Sequence, residues 1–149
     1  MKKSERYILE LKSGHEAIKG LFMFLKELVD AEGELDSGAV MQALTELKEV
    51  LIAHVKDENE NFYPAIRQRA VELGRNASLP AIDLCSESMY LINREAGDFF
   101  GRFKTEQDLL TYGKDFKGKL DQLVEDIEER IKNEEECLFH LYREYFSSS

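Results

Sequence analysis

The chain has 149 residues, of which 43% are hydrophobic and 34% charged, and its formal net charge is -10. This length and balance predict a single soluble domain over residues 1–149, and the acidic excess argues against nucleic acid or an anionic membrane surface as a partner. No apolar run approaches the roughly 20 residues that span a bilayer, and no secretory apolar segment follows Met1–Arg6, so we expect a cytoplasmic protein.

The first half of the chain predicts two amphipathic helices. The first runs from about Ser4 to Glu32, where Gly33 stops it. The second begins at a cap on Asp36 or Ser37 and ends near Gly74. On each helix the inward face repeats every three or four residues, the spacing of one face of a helix. These residues are Leu11, His15, Ile18, Phe22, Leu25 and Val29 in the first helix, and Val40, Leu44, Leu47, Leu51, His54, Glu58 and Phe62 in the second.

Two local features of the backbone are also predicted. Pro64 has no backbone N–H and crowds the carbonyl of Glu60, so we expect a kink just after His54 and Glu58. The tail Ser147–Ser149 has nothing to hold it and should be frayed.

The second half of the chain predicts two more helices. The third opens at Ser78, as a capping serine followed by Pro80, and we expect it to continue to Tyr112 with Lys104–Thr105 as its weakest point. The fourth follows a turn at Gly113. Their inward residues are Ile82, Cys85, Met89, Ile92, Ala96, Phe99 and Phe103, then Phe116, Leu120, Val124, Ile127, Ile131, Glu134, Leu138, Leu141 and Tyr145. Four such helices with short connections predict an all-α, up-down antiparallel four-helix bundle.

Polar side chains interrupt the inward faces of three of these helices. His15 lies on the first helix and Glu134 on the fourth. On the second helix, His54 and Glu58 lie one turn apart. In an up-down bundle these side chains can converge at one level of the core, where imidazole nitrogen and carboxylate oxygen suit iron, manganese or zinc. A buried carboxylate needs a cation, and Arg130, one turn before Glu134, is the alternative to a metal.

Three motifs make the chain resemble the hemerythrin family, whose cation-binding domain is also called the HHE domain. They are the first-helix histidine His15, the second-helix pattern His54-x-x-x-Glu58 followed by Phe62-Tyr63-Pro64, and the fourth-helix pattern Ile131-x-x-Glu134-Glu135-x-x-Leu138-Phe139. The resemblance spans nearly the whole chain and implies an up-down four-helix bundle. It also implies a centre of two irons, held by histidines and bridged by two carboxylates, that serves oxygen binding, oxygen or nitric oxide sensing, or iron and redox handling.

The chain departs from the family pattern on two helices. The family places a histidine where this chain has Arg130, and it places histidine ligands on the third helix, where this chain has none. By resemblance, His15 and His54 belong to one iron and the missing histidines belong to the other. The bridging carboxylates are Glu58 and either Glu134 or Glu135. The resemblance therefore implies that half of the centre is kept, with the guanidinium of Arg130 near the lost metal and able to pair with a bridging carboxylate.

Two functions from different classes follow from this pattern. The first is a metal-binding domain with a reduced site, in which one iron is favoured over two and a small diatomic molecule is a further ligand. Its predicted metal ligands are His15, His54, Glu58 and Glu134. The second is a metal-free bundle that works as a protein-interaction or regulatory module. In that case His15 is a satisfied core histidine, and His54 and Glu58 only hydrogen-bond each other across one turn.

The third helix separates these two hypotheses. A side chain that faces His54 and can bind a metal would favour the first, and a fully apolar wall would favour the second. The candidates are Cys85, Glu87, Ser88, Met89 and Glu95. Cys85 and Met89 also fit as core filler.

The sequence carries no pattern typical of an enzyme. It has no glycine-rich phosphate loop, and it has no serine or cysteine nucleophile beside an identifiable base. We therefore expect a protein that binds rather than one that catalyses a reaction.

Overall fold

The structure, a computed structural model, describes residues 1–147, and all regular elements in that range are helical. In chain order these are α1 (Lys3–Asp30), α2 (Ser37–Asp57), a first π segment (Glu58–Phe62), α3 (Tyr63–Glu72), a short 3₁₀ turn (Asn76–Ser78), α4 (Leu79–Arg102), α5 (Glu106–Thr111), α6 (Gly113–Asn133), a second π segment (Glu134–Leu138) and α7 (Phe139–Tyr145). The predicted all-α class is confirmed. The predicted fraying of Ser147–Ser149 falls mostly on two residues outside the described range.

Four long rods make up the bundle. They are α1, the continuous run from α2 through the first π segment to α3, then α4, and the continuous run from α6 through the second π segment to α7. The rod α1 packs against α2 and against α6 and α7, and α4 packs against α6, α2 and α3. The predicted inward faces supply the core, in which the largest fully buried side chains include Phe22, Phe62, Phe116 and Phe139. Among residues 1–147, no helix has both the length and the apolarity needed to span a bilayer.

Several predicted boundaries are confirmed by their local geometry. The carboxylate of Asp36 accepts a hydrogen bond of 3.1 Å from the backbone N–H of Ala39, which caps α2. Gly33 and Gly74 follow α1 and α3 with φ angles of 95° and 71°. These left-handed values favour glycine, because a Cβ is strained there.

The third rod differs from its prediction at both ends. It stops at Arg102 instead of continuing to Tyr112, because Thr105 and Asp108 form a reciprocal cap that begins a new short helix, α5. Ser78 does not cap α4 with its side chain. Its hydroxyl instead accepts a hydrogen bond of 2.7 Å from the hydroxyl of Tyr145.

The two π segments occupy matching positions in their rods. In each, the last backbone bond spans five residues, from the N–H of Tyr63 to the carbonyl of Glu58 and from the N–H of Phe139 to the carbonyl of Glu134. The first segment lies where a kink was predicted, and Pro64 follows it in the first turn of α3. Short π segments are uncommon and often occur at functional sites. Here each one begins at a buried glutamate.

Candidate metal centre

A cluster of four side chains lies at one level of the core. His15 comes from α1 and His54 from the last turn of α2, whereas Glu58 and Glu134 begin the two π segments. Each offers one ligand atom, and these four atoms lie within 4.8 Å of one another. His15, Glu58 and Glu134 are each 1% exposed. The fold therefore brings together all four predicted metal ligands.

His54 is packed against the backbone of α1. A Cβ at Gly14 would lie 2.9 Å from Cε1 of His54, closer than real Cβ contacts, so glycine is the residue that leaves room for this imidazole. On the other side of the ring, Nε2 lies 3.0 Å from Oε1 of Glu58. It nevertheless makes no aligned hydrogen bond within the described chain. The two side chains therefore face each other across one turn, and both belong to the cluster that surrounds the common centre.

His15 is oriented by contacts on three sides. Its Nδ1 donates a hydrogen bond of 2.7 Å to Oε2 of Glu135, and its ring stacks on Phe139 with centroids 5.6 Å apart. These contacts turn Nε2 toward the cluster, where it lies 3.2 Å from Oε1 of Glu134 and 3.9 Å from Oε2 of Glu58. A carboxylate behind the far nitrogen of a histidine is the arrangement that fixes metal-binding imidazoles. Glu134 and Glu135 therefore both serve this site, one inside the cluster and one behind His15.

Tyr63 is a member of the site that the sequence reasoning missed. Its hydroxyl donates a buried hydrogen bond of 2.6 Å to Oε2 of Glu134. In the sequence it stands out only as part of the Phe62-Tyr63-Pro64 motif. A buried tyrosine needs a partner for its hydroxyl, and that requirement was the signal in the sequence that could have found it.

The buried charges in the cluster shift one another strongly. Burial lowers the pKa of His15, but interactions with Glu134, Glu58 and Glu135 outweigh it and raise this pKa to about 10. Burial and the neighbouring Glu58 raise the pKa of Glu134 to about 8. For Glu58, interactions with Glu134 and the two histidines outweigh burial and hold its pKa well below the usual range. At neutral pH the positive charge of protonated His15 thus offsets the negative charge of Glu58, and Glu134 is protonated and neutral.

A further observation indicates that the four clustered residues are suited to bind a metal ion. Within residues 1–147, three buried atoms of the cluster lack a hydrogen-bond partner: Nε2 of His54, Oε2 of Glu58 and Oε1 of Glu134. These residues line a cavity of about 20 Å³ whose other walls are mostly apolar. Buried polar atoms rarely stay unpaired. A cation bound by two imidazole nitrogens and two carboxylate oxygens would satisfy all of them, and iron, manganese and zinc accept this donor set.

Comparison with known families agrees with this geometry. The family model of the hemerythrin HHE cation-binding domain matches residues 7–142. The chain belongs to the hemerythrin HHE family. No curated protein and no solved structure matches it. The matched range includes all four clustered side chains, so this hemerythrin domain carries a group of histidines and glutamates able to bind a metal.

The third rod of this hemerythrin domain supplies a largely apolar wall. It contributes Met89, Ile92, Asn93 and Ala96 to the lining of the cavity. Among the residues considered from the sequence, only Met89 lies in this wall. Cys85 packs against the hydrophobic core, Glu87 is exposed, and Ser88 and Glu95 line a separate groove outside the cavity. The third rod therefore offers one thioether and one amide, and no imidazole or carboxylate, to the centre.

Arg130 occupies the position in α6 that corresponds to His54 in α2. Both residues precede by four positions the glutamate that begins a π segment. Arg130 is buried and lines the cavity. The pairing with a bridging carboxylate that the resemblance suggested is not formed through Nε or Nη2, because neither atom has a hydrogen-bond partner in the described range.

Proposed function

We propose that this hemerythrin domain binds one iron ion through His15, His54, Glu58 and Glu134 and uses it to sense a small diatomic molecule such as oxygen or nitric oxide. The main support for this proposal is that three buried atoms without hydrogen-bond partners, Nε2 of His54, Oε2 of Glu58 and Oε1 of Glu134, belong to residues that line one cavity. The donor set suits several metals, and the family favours iron among them. When bound, iron would supply a redox-active centre that can take a small molecule as an additional ligand. We propose a binding role and no catalytic reaction.

A single ion is favoured over a pair of ions by two features of this chain. Arg130 stands at the position equivalent to His54, where the family resemblance implies a histidine, and a guanidinium keeps its positive charge at all ordinary pH values. The wall from α4 adds no imidazole or carboxylate on the same side. A second cation would therefore meet electrostatic repulsion and a poor ligand set.

Elemental analysis of the protein tests this proposal. The protein is purified without chelators and reconstituted anaerobically with ferrous iron, and we expect about one equivalent of iron. His54→Ala should lose the metal, because it removes one of the nitrogen ligands. His140→Ala is the matched control, since His140 is exposed. Wild-type protein that holds less than about a tenth of an equivalent after reconstitution would contradict the proposal.

The second candidate is a metal-free module that binds or regulates a protein partner. Its support is the internal charge balance of the cluster, in which protonated His15 offsets Glu58 and Glu134 is neutral, without any ion. In that case His54→Ala would change the thermal stability but neither the metal content nor the binding of a partner. Loss of bound iron in this variant counts against the metal-free module.

A further inference from the structure

Arg130 is a buried cation that the chain leaves without hydrogen-bond partners on two of its nitrogens. Its side chain is 6% exposed, and neither Nε nor Nη2 meets an acceptor in residues 1–147. A buried guanidinium is normally paired, because an unsatisfied charge away from water is strongly unfavourable. The two unpaired nitrogens therefore indicate an acceptor that the described chain does not supply.

The identity of the two unpaired nitrogens specifies the shape of that acceptor. The N–H groups of Nε and Nη2 lie on the same edge of the planar guanidinium and point in parallel. This edge matches two oxygens carried by one atom, as in a carboxylate or another planar oxyanion. A water molecule or a halide ion offers only one acceptor atom, which both donors would have to share.

Arg130 lies between two spaces of different character. One is the cavity of about 20 Å³ that it shares with the clustered histidines and glutamates. The other is an open groove of about 310 Å³ whose lining includes Glu95, Asp126 and Glu129. Three carboxylates make the groove unfavourable for an anion. The cavity is small and mostly apolar, so it suits a compact anion, and a charge in such surroundings interacts strongly with a nearby cation.

We propose that Arg130 binds a small planar oxyanion, of the size of formate, inside the cavity beside the metal. The inference rests on the proposed metal site, because a divalent ion and the carboxylates of Glu58 and Glu134 cancel one another's charge. The positive charge of Arg130 is then unbalanced among these buried groups. The oxyanion occupies the same space as a diatomic ligand, and the two therefore compete.

Titration calorimetry with formate tests the inference on the full chain. Formate is titrated into the ferrous and the metal-free forms of the wild type, Arg130→Met, Arg130→Lys and the control Arg94→Met, in which an exposed arginine of α4 is replaced. We expect wild type and control to bind formate equally and Arg130→Met to bind about tenfold more weakly or worse. Arg130→Lys should fall between them, because lysine keeps the charge but not the paired donors. Propionate, which has the same charge and a larger body, should bind about tenfold more weakly than formate to the wild type.

Three results would overturn the inference. They are equal affinities of wild type and Arg130→Met for formate, no formate binding to either form of the wild type, and equal binding of propionate, which would place the anion in the outer groove. Metal content is measured on the same samples. A wild type that takes up no metal contradicts the proposed function, whereas formate binding that depends on Arg130 in the metal-free form still supports this inference. Circular dichroism verifies folding, and Arg130→Lys provides the comparison if Arg130→Met does not fold.

Discussion

Gly14 and His54 are in direct contact, and the absence of a side chain on α1 sets the position of the imidazole that faces Glu58. We expect Gly14→Ala to push this imidazole out of the cluster and to weaken metal binding by roughly 10- to 100-fold. The added methyl group should also destabilise the protein by about 1–3 kcal/mol through overpacking. Metal titration and chemical unfolding measure the two effects.

Gly20→Ala is the control for this substitution, because Gly20 lies in the same helix and a Cβ there has no neighbour within 4 Å. It should leave metal affinity unchanged and raise stability by roughly 0.5–1 kcal/mol, since alanine loses less backbone entropy in a helix. Equal metal affinity in the two variants would show that Gly14 does not position His54.

The hydrogen bond from Tyr63 to Glu134 predicts a second effect. In Tyr63→Phe, Oε2 of Glu134 loses the hydrogen-bond donor that it has within residues 1–147, so the carboxylate should become more mobile and metal affinity should fall by roughly 10-fold or more. Loss of a hydrogen bond to a charged group should also cost about 1.5–3 kcal/mol of stability in the metal-loaded protein. Tyr90→Phe, at an exposed position of α4, is the control. Unchanged metal affinity in Tyr63→Phe would contradict a supporting role for Tyr63.

The contact between Glu135 and His15 predicts a third effect. Glu135→Gln removes the negative charge that accepts the Nδ1 proton of His15, so the imidazole should be less firmly oriented and less basic. We expect metal affinity to fall by roughly 10-fold to 100-fold. Glu136→Gln, one residue farther along and exposed, should have no effect. Metal titration of the two variants side by side makes the comparison, and equal affinities would exclude an orienting role for Glu135.

The raised pKa values predict that metal binding depends on pH. In the metal-free protein the pKa of His15 is about 10 and that of Glu134 is about 8, so both groups carry protons at pH 7 that a metal must displace. Affinity should therefore rise with pH, by up to about 1.4 kcal/mol per pH unit for each displaced proton. This gain ends for Glu134 above about pH 8 and for His15 above about pH 10.

Calorimetry in buffers of different ionisation enthalpy counts the protons released. Between pH 6 and 7 we expect release of close to two protons per metal ion, because both groups are protonated below their raised pKa values. Binding that releases no protons and keeps one affinity across this range would contradict the charge state described for the cluster.

The helices and the residues of the cluster could be predicted from the sequence because buried residues recur every three or four positions along a helix. Residues on the predicted inward stripes, such as Leu47 and Ile18, are buried as expected, since each rod buries one face. The convergence of His15, His54 and Glu58 follows from the same rule, because polar residues on inward stripes have only the core to enter. Periodicity is thus sufficient to predict the rods and the inward face that carries these residues, whereas the level at which they meet also depends on the helix lengths and connections.

The parts that could not be predicted depend on local geometry that a periodic pattern does not contain. The choice between Glu134 and Glu135 is open in the sequence because both glutamates lie side by side in an acidic run, and in the structure both contact His15. Tyr63 enters the site directly after the π segment that begins at Glu58. Whether the nitrogens of Arg130 have hydrogen-bond acceptors depends on how the side chains pack around it, and a sequence pattern does not contain this information.

Each π segment of five residues interrupts a regular α-helix at a glutamate of the candidate site. A helix bonded across five residues is rarer than an α-helix and is retained mostly where function depends on it. Deleting Asn59 would give the second rod an uninterrupted α-helical pitch, and at the same time it would turn Phe62 and Tyr63 relative to His54. Both rods carry their π segment at a buried glutamate of the site, so a variant with a more regular helix would lose the present placement of the residues around Glu58 and Glu134.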